Sequence, residues 1–545
     1  MDLEATSPES ASFEHIDSDK WTNRRYPWAL HTTPFIRIVK HPYEGSGTLE
    51  DPYLITWIDD DAEDPQRKSA FEKWTLASFV SLATLAVALA SSAYSGATDS
   101  IATELGGSST VITLGVSLFV LGFALGPLLW APLSEIFGRR NLYLFTYSFL
   151  TIWNSVACAS PNLAALLVFR FLAGAFGSSP LTNAGGTIAD VFEAKERGLA
   201  MAVFALAPFM GPALGPITGG FLGESAGWRW VMGFLGIFSA VLTALGFLMY
   251  SETYAPVLLR RRAKKLSLAT GKSYIPKLDK GNKVGITGQF KVALGRPWLL
   301  LFYEPIVLLL SLYIAVVYAI LYSFFSAFPI VFQEIRGWSP GIGGLAFLGI
   351  LVGMLAAIVY VAFYVNKVYA EEVDKHGGIT APPEARLPPS LVGAPLLVVG
   401  LAGFAATDFP SIHWFVPIMF GAPFGAGMVL IFLSLQNYLI DSYLIYAASV
   451  LAANSVIRSL FGAAFPLFTP YMYNPGGSSG SCPTASCGIH VGPAIAGTLA
   501  LIFLPFPYIF YRKGAEIRKK CRYSAQADKM LQSMLKQPYK QTKDS

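Results

Sequence analysis

Gly211-Pro212-Ala213-Leu214-Gly215-Pro216-Ile217-Thr218-Gly219-Gly220 lies inside an apolar block, 198–222. Glycines four apart clear one helix face of side chains and let a neighbouring backbone come close. Each proline lacks an N–H and bends the helix. A kinked, small-faced, apolar helix of this length suits a hinge or gate inside a bundle. Tight packing alone accounts for the same pattern.

Outward from this block, similar blocks recur. They lie near 75–97, 110–133, 141–160, 163–186 and 228–250, and then near 298–330, 340–366, 390–408, 412–440, 443–470 and 491–512. Each approaches the ~20 residues a helix needs to cross the hydrocarbon core. Of the 545 residues, 53% are hydrophobic and 14% charged, against roughly 25% charged in a soluble domain. Mean hydropathy is +0.48. Such a chain cannot cover itself with polar groups, so lipid is its solvent. The expected fold is an all-α membrane protein: a tail (1–74), a six-helix bundle (75–250), a polar linker (251–297), a second six-helix bundle (298–512) and a closing tail (513–545). Within the first tail, Asp51 to Trp57 carries order-promoting residues suited to docking.

The cations orient the bundle. Arg139, Arg140, Lys195, Arg197, the run Arg260-Arg261-Arg262, Lys264, Lys265, Lys367, Arg386, Arg512, Lys513 and Arg518 fall in loops on one side. The opposite loops hold little beyond Arg229 and Arg336. Positive loops stay inside, so both termini and the linker are expected in the cytoplasm. Two like halves joined by such a linker place a substrate site between them at mid-depth.

Several residues carry chemistry. In Leu133-Ser134-Glu135-Ile136-Phe137-Gly138-Arg139-Arg140 an acid ends one helix, glycine permits a turn, and two arginines begin the next. That suits a cytoplasmic latch of carboxylate–guanidinium pairs, and equally plain anchoring of a loop. Arg170, within the fourth span, is costly in lipid and therefore a functional candidate. It is suited to polarise a proton-carrying acid or hold an anion, with snorkelling toward an interface as the alternative. Glu304, beside Pro305 at the start of the seventh span, is the first candidate proton carrier, with an interfacial position as the alternative. Arg458 is a further intramembrane cation. Tyr318, Tyr322 and Phe325 form an aromatic stripe, and with Gln436, Asn437 and Arg458 are candidates to line a cavity for a flat, apolar ligand; for any single one of them, packing against neighbouring helices is the first reading. Gly341, Gly344, Gly349 and Gly353 mark a second small-residue seam, expected to meet the fifth span across the halves.

Together these segments resemble the major facilitator superfamily, and within it the twelve-span drug:proton antiporters, over nearly the whole chain from about residue 50. Leu133, Ser134, Glu135, Gly138, Arg139 and Arg140 match its loop motif; Ala131 and Ile136 depart from it. Arg170 and Gly174 match the fourth-span motif, which the family associates with proton coupling. Gly211, Gly215, Pro216, Gly219 and Gly220 complete the fifth-span motif associated with exporters. Asp190, Glu196 and Arg197 resemble the loop that shares the cytoplasmic gate. Tyr303-Glu304-Pro305-Ile306 and Ile457-Arg458-Ser459-Leu460-Phe461-Gly462 are similar to the fungal polyamine, multidrug and toxin-efflux branch. The second copy of the loop motif, near Asn366 and Lys367, is degenerate.

The resemblance implies a proton-coupled efflux transporter of small hydrophobic drugs, toxins or secondary metabolites. Its partners would be substrate, protons and bilayer, with no cofactor, metal or nucleic acid. A monomer in the plasma membrane is expected, with the vacuolar membrane open. Uptake of a nutrient or polyamine is the alternative, and a non-transporting sensor a third. Polyamines would call for several buried carboxylates, and Glu304 stands nearly alone. An enzyme is not expected: there is no H-E-x-x-H motif and no G-x-S-x-G elbow, and Gly271-Lys272-Ser273 lacks the rest of a phosphate loop. Cys482 and Cys487 lie close in a Gly/Ser-rich loop; a disulfide and two free thiols are both open.

Overall fold

The structure is a computed structural model that describes residues 33–280, 286–376, 381–473 and 488–527. Cys482 and Cys487 lie outside these residues. Among the described residues, eleven helices are long and apolar enough to cross a membrane: Ala70–Leu105, Ser109–Phe137, Leu163–Val191, Glu196–Ala226, Trp228–Met249, Pro305–Ile335, Pro340–Lys375, Pro388–Thr407, Phe415–Tyr443, Ala447–Tyr473 and Val491–Lys520. The expected third span is also a helix, Arg139–Cys158. Arg139, Arg140, Asn141 and Asn154 make it less apolar than the others, and it packs between the fourth and sixth spans. Counting it, the chain forms two six-helix bundles of a multi-pass membrane protein.

Local chemistry sets the helix ends. Ser69 and Glu72 form a capping box at the first span. The side chains of Ser108 and Asn162 accept the N–H groups of Val111 and Ala165 at the second and fourth spans. Gly138 (φ 94°) and Gly227 (φ 84°) turn the chain where a Cβ would be strained. The seventh span starts later than its apolar pattern suggests. A separate helix, Ile286–Tyr303, precedes it, and the chain breaks at Glu304 before Pro305.

The polar tail and the linker are not independent. Strand Tyr53–Ile55 pairs in parallel with Tyr274–Pro276. Phe35, Ile38, Val39, Ile55 and Ile58 pack on Leu259, Ala263 and Leu266 of the linker helix Ala255–Thr270. Arg262 binds Asp61, Oδ1 at 2.9 Å, and Glu63 at 2.8 Å. Asp61 also accepts from Thr33 at 2.7 Å. Burial opposes the Asp61 charge, but the Arg262 guanidinium and the Thr33 hydroxyl outweigh it and hold its carboxyl below the usual range. A depressed carboxylate stabilises above its unfolded pKa and loses that effect as pH falls through the folded one. The docked segment is therefore firm at neutral pH and loosens below about pH 4. Arg262→Ala strands a buried Asp61 charge at a cost of about 3–5 kcal/mol. Trypsin is expected to cut at Arg37 and Lys40 much faster in this variant, while the bundle stays protected.

This tail–linker unit, the linker and the C-terminal segment share one end of the bundle, the linker face; the opposite end is the far face.

Candidate functional site

On the linker face, Gly138 delivers Arg139 into a cluster of polar groups. Its Nε donates to Asp190 Oδ2 at 3.2 Å, and Nη1 donates to Ser134 Oγ and to Asn183 Oδ1 at 3.4 Å. Its guanidinium lies 4.9 Å from the Tyr254 ring centre. A Cβ at Gly186 would sit 2.8 Å from Arg139 Nη2, so glycine leaves room there. Arg140 donates to the Tyr250 carbonyl at 2.6 Å. Arg197 closes the end of the fourth span by donating to the carbonyls of Ala189 and Phe192 at 3.1 and 3.3 Å.

The expected acid of this latch, Glu135, is exposed and makes no ion pair among the described residues. Asp190 holds the Arg139 side chain, and a second acid, Glu252, holds its backbone. Glu252 Oε1 accepts the backbone N–H groups of Arg139 (2.9 Å), Thr253 (3.1 Å) and Tyr254 (3.1 Å). A signal was present: Glu252 is the sole acid between residues 225 and 278, placed where the sixth span ends. Glu252→Gln is expected to lower the unfolding free energy by about 1.5–3 kcal/mol, the range for a charge-assisted bond. Glu135→Gln should change it little, and thermal unfolding of the purified protein separates the two.

The second half repeats the plan with different residues. Arg386 binds Asp441 at 2.7 Å and lies 3.3 Å over the Tyr369 ring; Tyr369 also donates to Asp441 at 3.2 Å. Arg518 binds Glu384 at 2.8 Å. Each cluster pairs within its own half.

Arg170 is 1% exposed. It holds neither an acid nor an open surface for an anion. It donates to three carbonyls: Gly115 (3.0 Å), Ala90 (2.8 Å) and Ser91 (3.2 Å). The α-helix of the first span ends at Ala93 and tightens into a 3-10 turn, Tyr94–Ala97. Carbonyls in a last helical turn lack regular intrahelical partners, and Arg170 supplies donors there, between the rings of Phe119 (4.2 Å) and Tyr94 (5.1 Å). Beside it runs a hydroxyl chain. Ser91 Oγ donates to the Ala88 carbonyl, so it accepts from Tyr322 at 2.9 Å, and Tyr322 accepts from Tyr318 at 3.2 Å. The chain crosses from the second half to the first.

The fifth-span motif has two faces. Gly211, Gly215 and Gly219 press on the first span: a Cβ at Gly219 would lie 1.9 Å from the Ala93 carbonyl oxygen. Gly220 instead meets the second half, where a Cβ would lie 2.5 Å from the Pro340 oxygen. Gly344 approaches the Pro216 carbonyl from the eighth span in the same way, at 2.6 Å, and Glu224 accepts the Gly341 N–H at 3.0 Å. The expected meeting of the fifth and eighth spans therefore holds for Gly341 and Gly344. Gly349 and Gly353 face the tenth span instead, against the carbonyls of Ile418 and Ala422. They lie farther along the eighth span, past the short break at Leu345 and Ala346.

Of the expected cavity residues, Tyr322 is fully buried in the hydroxyl chain. Phe325 is buried against Tyr322 and Phe347. Neither is free to line a cavity, because this face of the seventh span packs on the first and eighth. Tyr318 is half-buried, as are Gln436, Asn437 and Arg458. Arg458 stands 4.9 Å from the Tyr318 ring and 5.2 Å from Phe432, which meets Phe209 of the first half edge-on at 5.0 Å.

Glu304 is fully buried, but at the linker-face start of the seventh span. It accepts from the Tyr443 hydroxyl at 2.8 Å and the Tyr523 N–H at 2.9 Å, so it anchors the C-terminal segment. The break before Pro305 puts it at the N-terminal edge of the seventh span, the interfacial alternative, and not within the span. A second buried acid escaped the sequence reading. Asp408, just past the ninth span, is fully buried, and neither carboxylate oxygen has a hydrogen-bond partner among the described residues. Burial, only partly offset by the Arg336 cation, pushes its carboxyl up to about 7.

Comparison with known proteins places this geometry. The Major Facilitator Superfamily model matches residues 80–466. The chain is 58% identical to "MFS-type efflux pump MFS2" of Trichophyton rubrum, over 91% of this chain and 82% of that one. It is 55% identical to "Major facilitator superfamily multidrug transporter mdrA" of Aspergillus fumigatus, over 92% and 81%. It is 47% identical to "Efflux pump FUB11" of Gibberella moniliformis, over 97% and 87%. Among solved structures, the proton:xylose symporter XylE shares the fold, with TM-score 0.58 at 16% identity over 82% of this chain and 97% of that one.

Proposed function

The chain belongs to the major facilitator superfamily, and from that membership we propose that it couples efflux of small hydrophobic compounds to the inward flow of protons. It is an efflux transporter, as its relatives' names indicate. We take the linker face as cytoplasmic on the strength of its cations. The working unit is a monomer in the plasma membrane, and the proton gradient is its energy source.

The observation that carries the reading is the seam of the two halves. Toward the far face they close backbone on backbone, Gly220 on Pro340 and Gly344 on Pro216. Toward the linker face the Arg139 and Arg386 clusters are each satisfied within their own half. Such a form is ready to take substrate from the linker side. Parting the far seam and joining the linker side would release substrate outward, which is alternating access. Asp408 offers a titratable group near the far face, where protons would arrive. Uptake of polyamines finds less support: the acids Glu304, Asp190 and Asp441 sit at the linker ends of their helices, each already holding a donor.

The test is retention of hydrophobic fluorescent compounds in a yeast lacking its own drug pumps. The protein should lower retention, and a protonophore should restore it. Raised retention would establish uptake. Lowered retention that survives the protonophore would remove proton coupling while leaving efflux.

A further inference from the structure

Arg458 lies midway along the eleventh span, Ala447–Tyr473. A cation at that depth ordinarily pairs with an acid or with backbone carbonyls. Arg170 shows the second solution, with three carbonyls around it. Arg458 shows neither. Among the described residues its one hydrogen bond is a long contact from Nη2 to Ser455 Oγ, at 3.5 Å. Its Nε is buried without a partner. No carboxylate pairs with it among the described residues. The acids at the linker ends of the seventh and tenth spans, Glu304 and Asp441, are held by Tyr443 and Arg386.

What surrounds Arg458 is aromatic. The guanidinium rests against the rings of Tyr318 and Phe432, and Phe432 meets Phe209 from the opposite half. The four residues come from four different spans and meet where the halves face each other. Guanidinium is a planar fork that takes a carboxylate through two parallel bonds, and it keeps its charge in proteins. Ring faces beside it take a flat apolar body.

We propose, resting on the efflux reading above, that Arg458 is the anchor of a substrate site for planar aromatic or conjugated monocarboxylates carried as anions. The carboxylate supplies the acceptor that the Arg458 fork lacks. The flat body lies along the half-buried rings of Tyr318 and Phe432, beside the contact that Phe432 makes with buried Phe209 of the first half. The fixed cation disfavours polyamines and cationic dyes. At neutral pH a free carboxylic acid, with a pKa of about 4, is almost wholly ionised, so the anion is the form this site meets on the cytoplasmic side.

The experiment is binding to the purified full-length protein in lipid nanodiscs, by calorimetry, with three probes of one shape: 2-naphthoate, its neutral methyl ester and 2-naphthylmethylammonium. Naphthoate should bind at least tenfold more tightly than the ester, and the ammonium weakest. Arg458→Gln should erase the acid's advantage and leave ester binding within about twofold, while Arg458→Lys keeps part of it. Equal binding of acid and ester to the unaltered protein overturns the proposal, and needs no variant to fold. So does an Arg458→Gln protein that keeps the preference. Export of a neutral dye from cells is measured in parallel. Loss of that export with the naphthoate preference intact would remove the efflux reading and not the site; the converse would remove the site alone.

Discussion

Arg170→Met is expected to reduce export at least tenfold and to lower the thermal stability of the purified protein. The substitution keeps an unbranched chain of similar length but removes every donor. The carbonyls of Ala90, Ser91 and Gly115 then lose the Arg170 donors inside a bundle that excludes water. Gly115, inside the second span, keeps its intrahelical partner; each unmet buried acceptor costs about 1–3 kcal/mol, and Ala90 and Ser91 together are a large share of a total near 5–15 kcal/mol. The break in the first span at Ala93 would straighten or fray, carrying Ser91 away from Tyr322 and opening the hydroxyl chain between halves. Arg170→Lys, with one compact donor group, should fall between. Unchanged export and unchanged melting temperature for the methionine variant would show that the first span does not depend on this cap.

Gly220→Ala should shift the protein toward the form opened at the far face. The added Cβ has no room against the Pro340 carbonyl, 2.5 Å away on the other half. Overpacking of this kind costs about 1–3 kcal/mol, and 1.4 kcal/mol is tenfold in an equilibrium. The cost falls only on the form in which the seam is closed. Spin labels at the exposed far-face positions Ser225 and Ser411 should therefore report longer distances in the variant, and export should slow severalfold. Gly219→Ala is the control. Its Cβ strikes Ala93 within the same half, so it should lower stability without favouring the longer distance. If both substitutions give the same distance distribution as the unaltered protein, the Gly220 contact is not part of a gate.

Much of this was legible in the chain. Apolar blocks of span length gave the helices, and Gly341 and Gly344 were marked as partners of the fifth span before contact was seen. Arg170 was identified as exceptional because an intramembrane cation has few explanations. Its acceptors are carbonyls, which every residue owns and no sequence displays. Glu135 stands out in the sequence because it sits three residues from Gly138, whereas Glu252 carries no such mark and reaches Arg139 across 113 residues. The second-half pair Arg386–Asp441 was missed for the same reason: its members are 55 residues apart, and no motif spacing survives between them.

The division follows from what each kind of information measures. Hydropathy and charge are properties of short stretches in contact with lipid or water, so the sequence by itself determined the spans, the two-bundle plan and the family. Which face of a helix meets which neighbour depends on rotation about its axis, and one residue turns that face by about 100°. Only the tertiary structure could therefore put Gly220 on the seam but Gly219 on the first span. It likewise buried Tyr322 and Phe325 while leaving Tyr318 beside Arg458. The folded tail–linker unit is tertiary for the same reason, because the parallel pair joins Tyr53 to Tyr274, far along the chain.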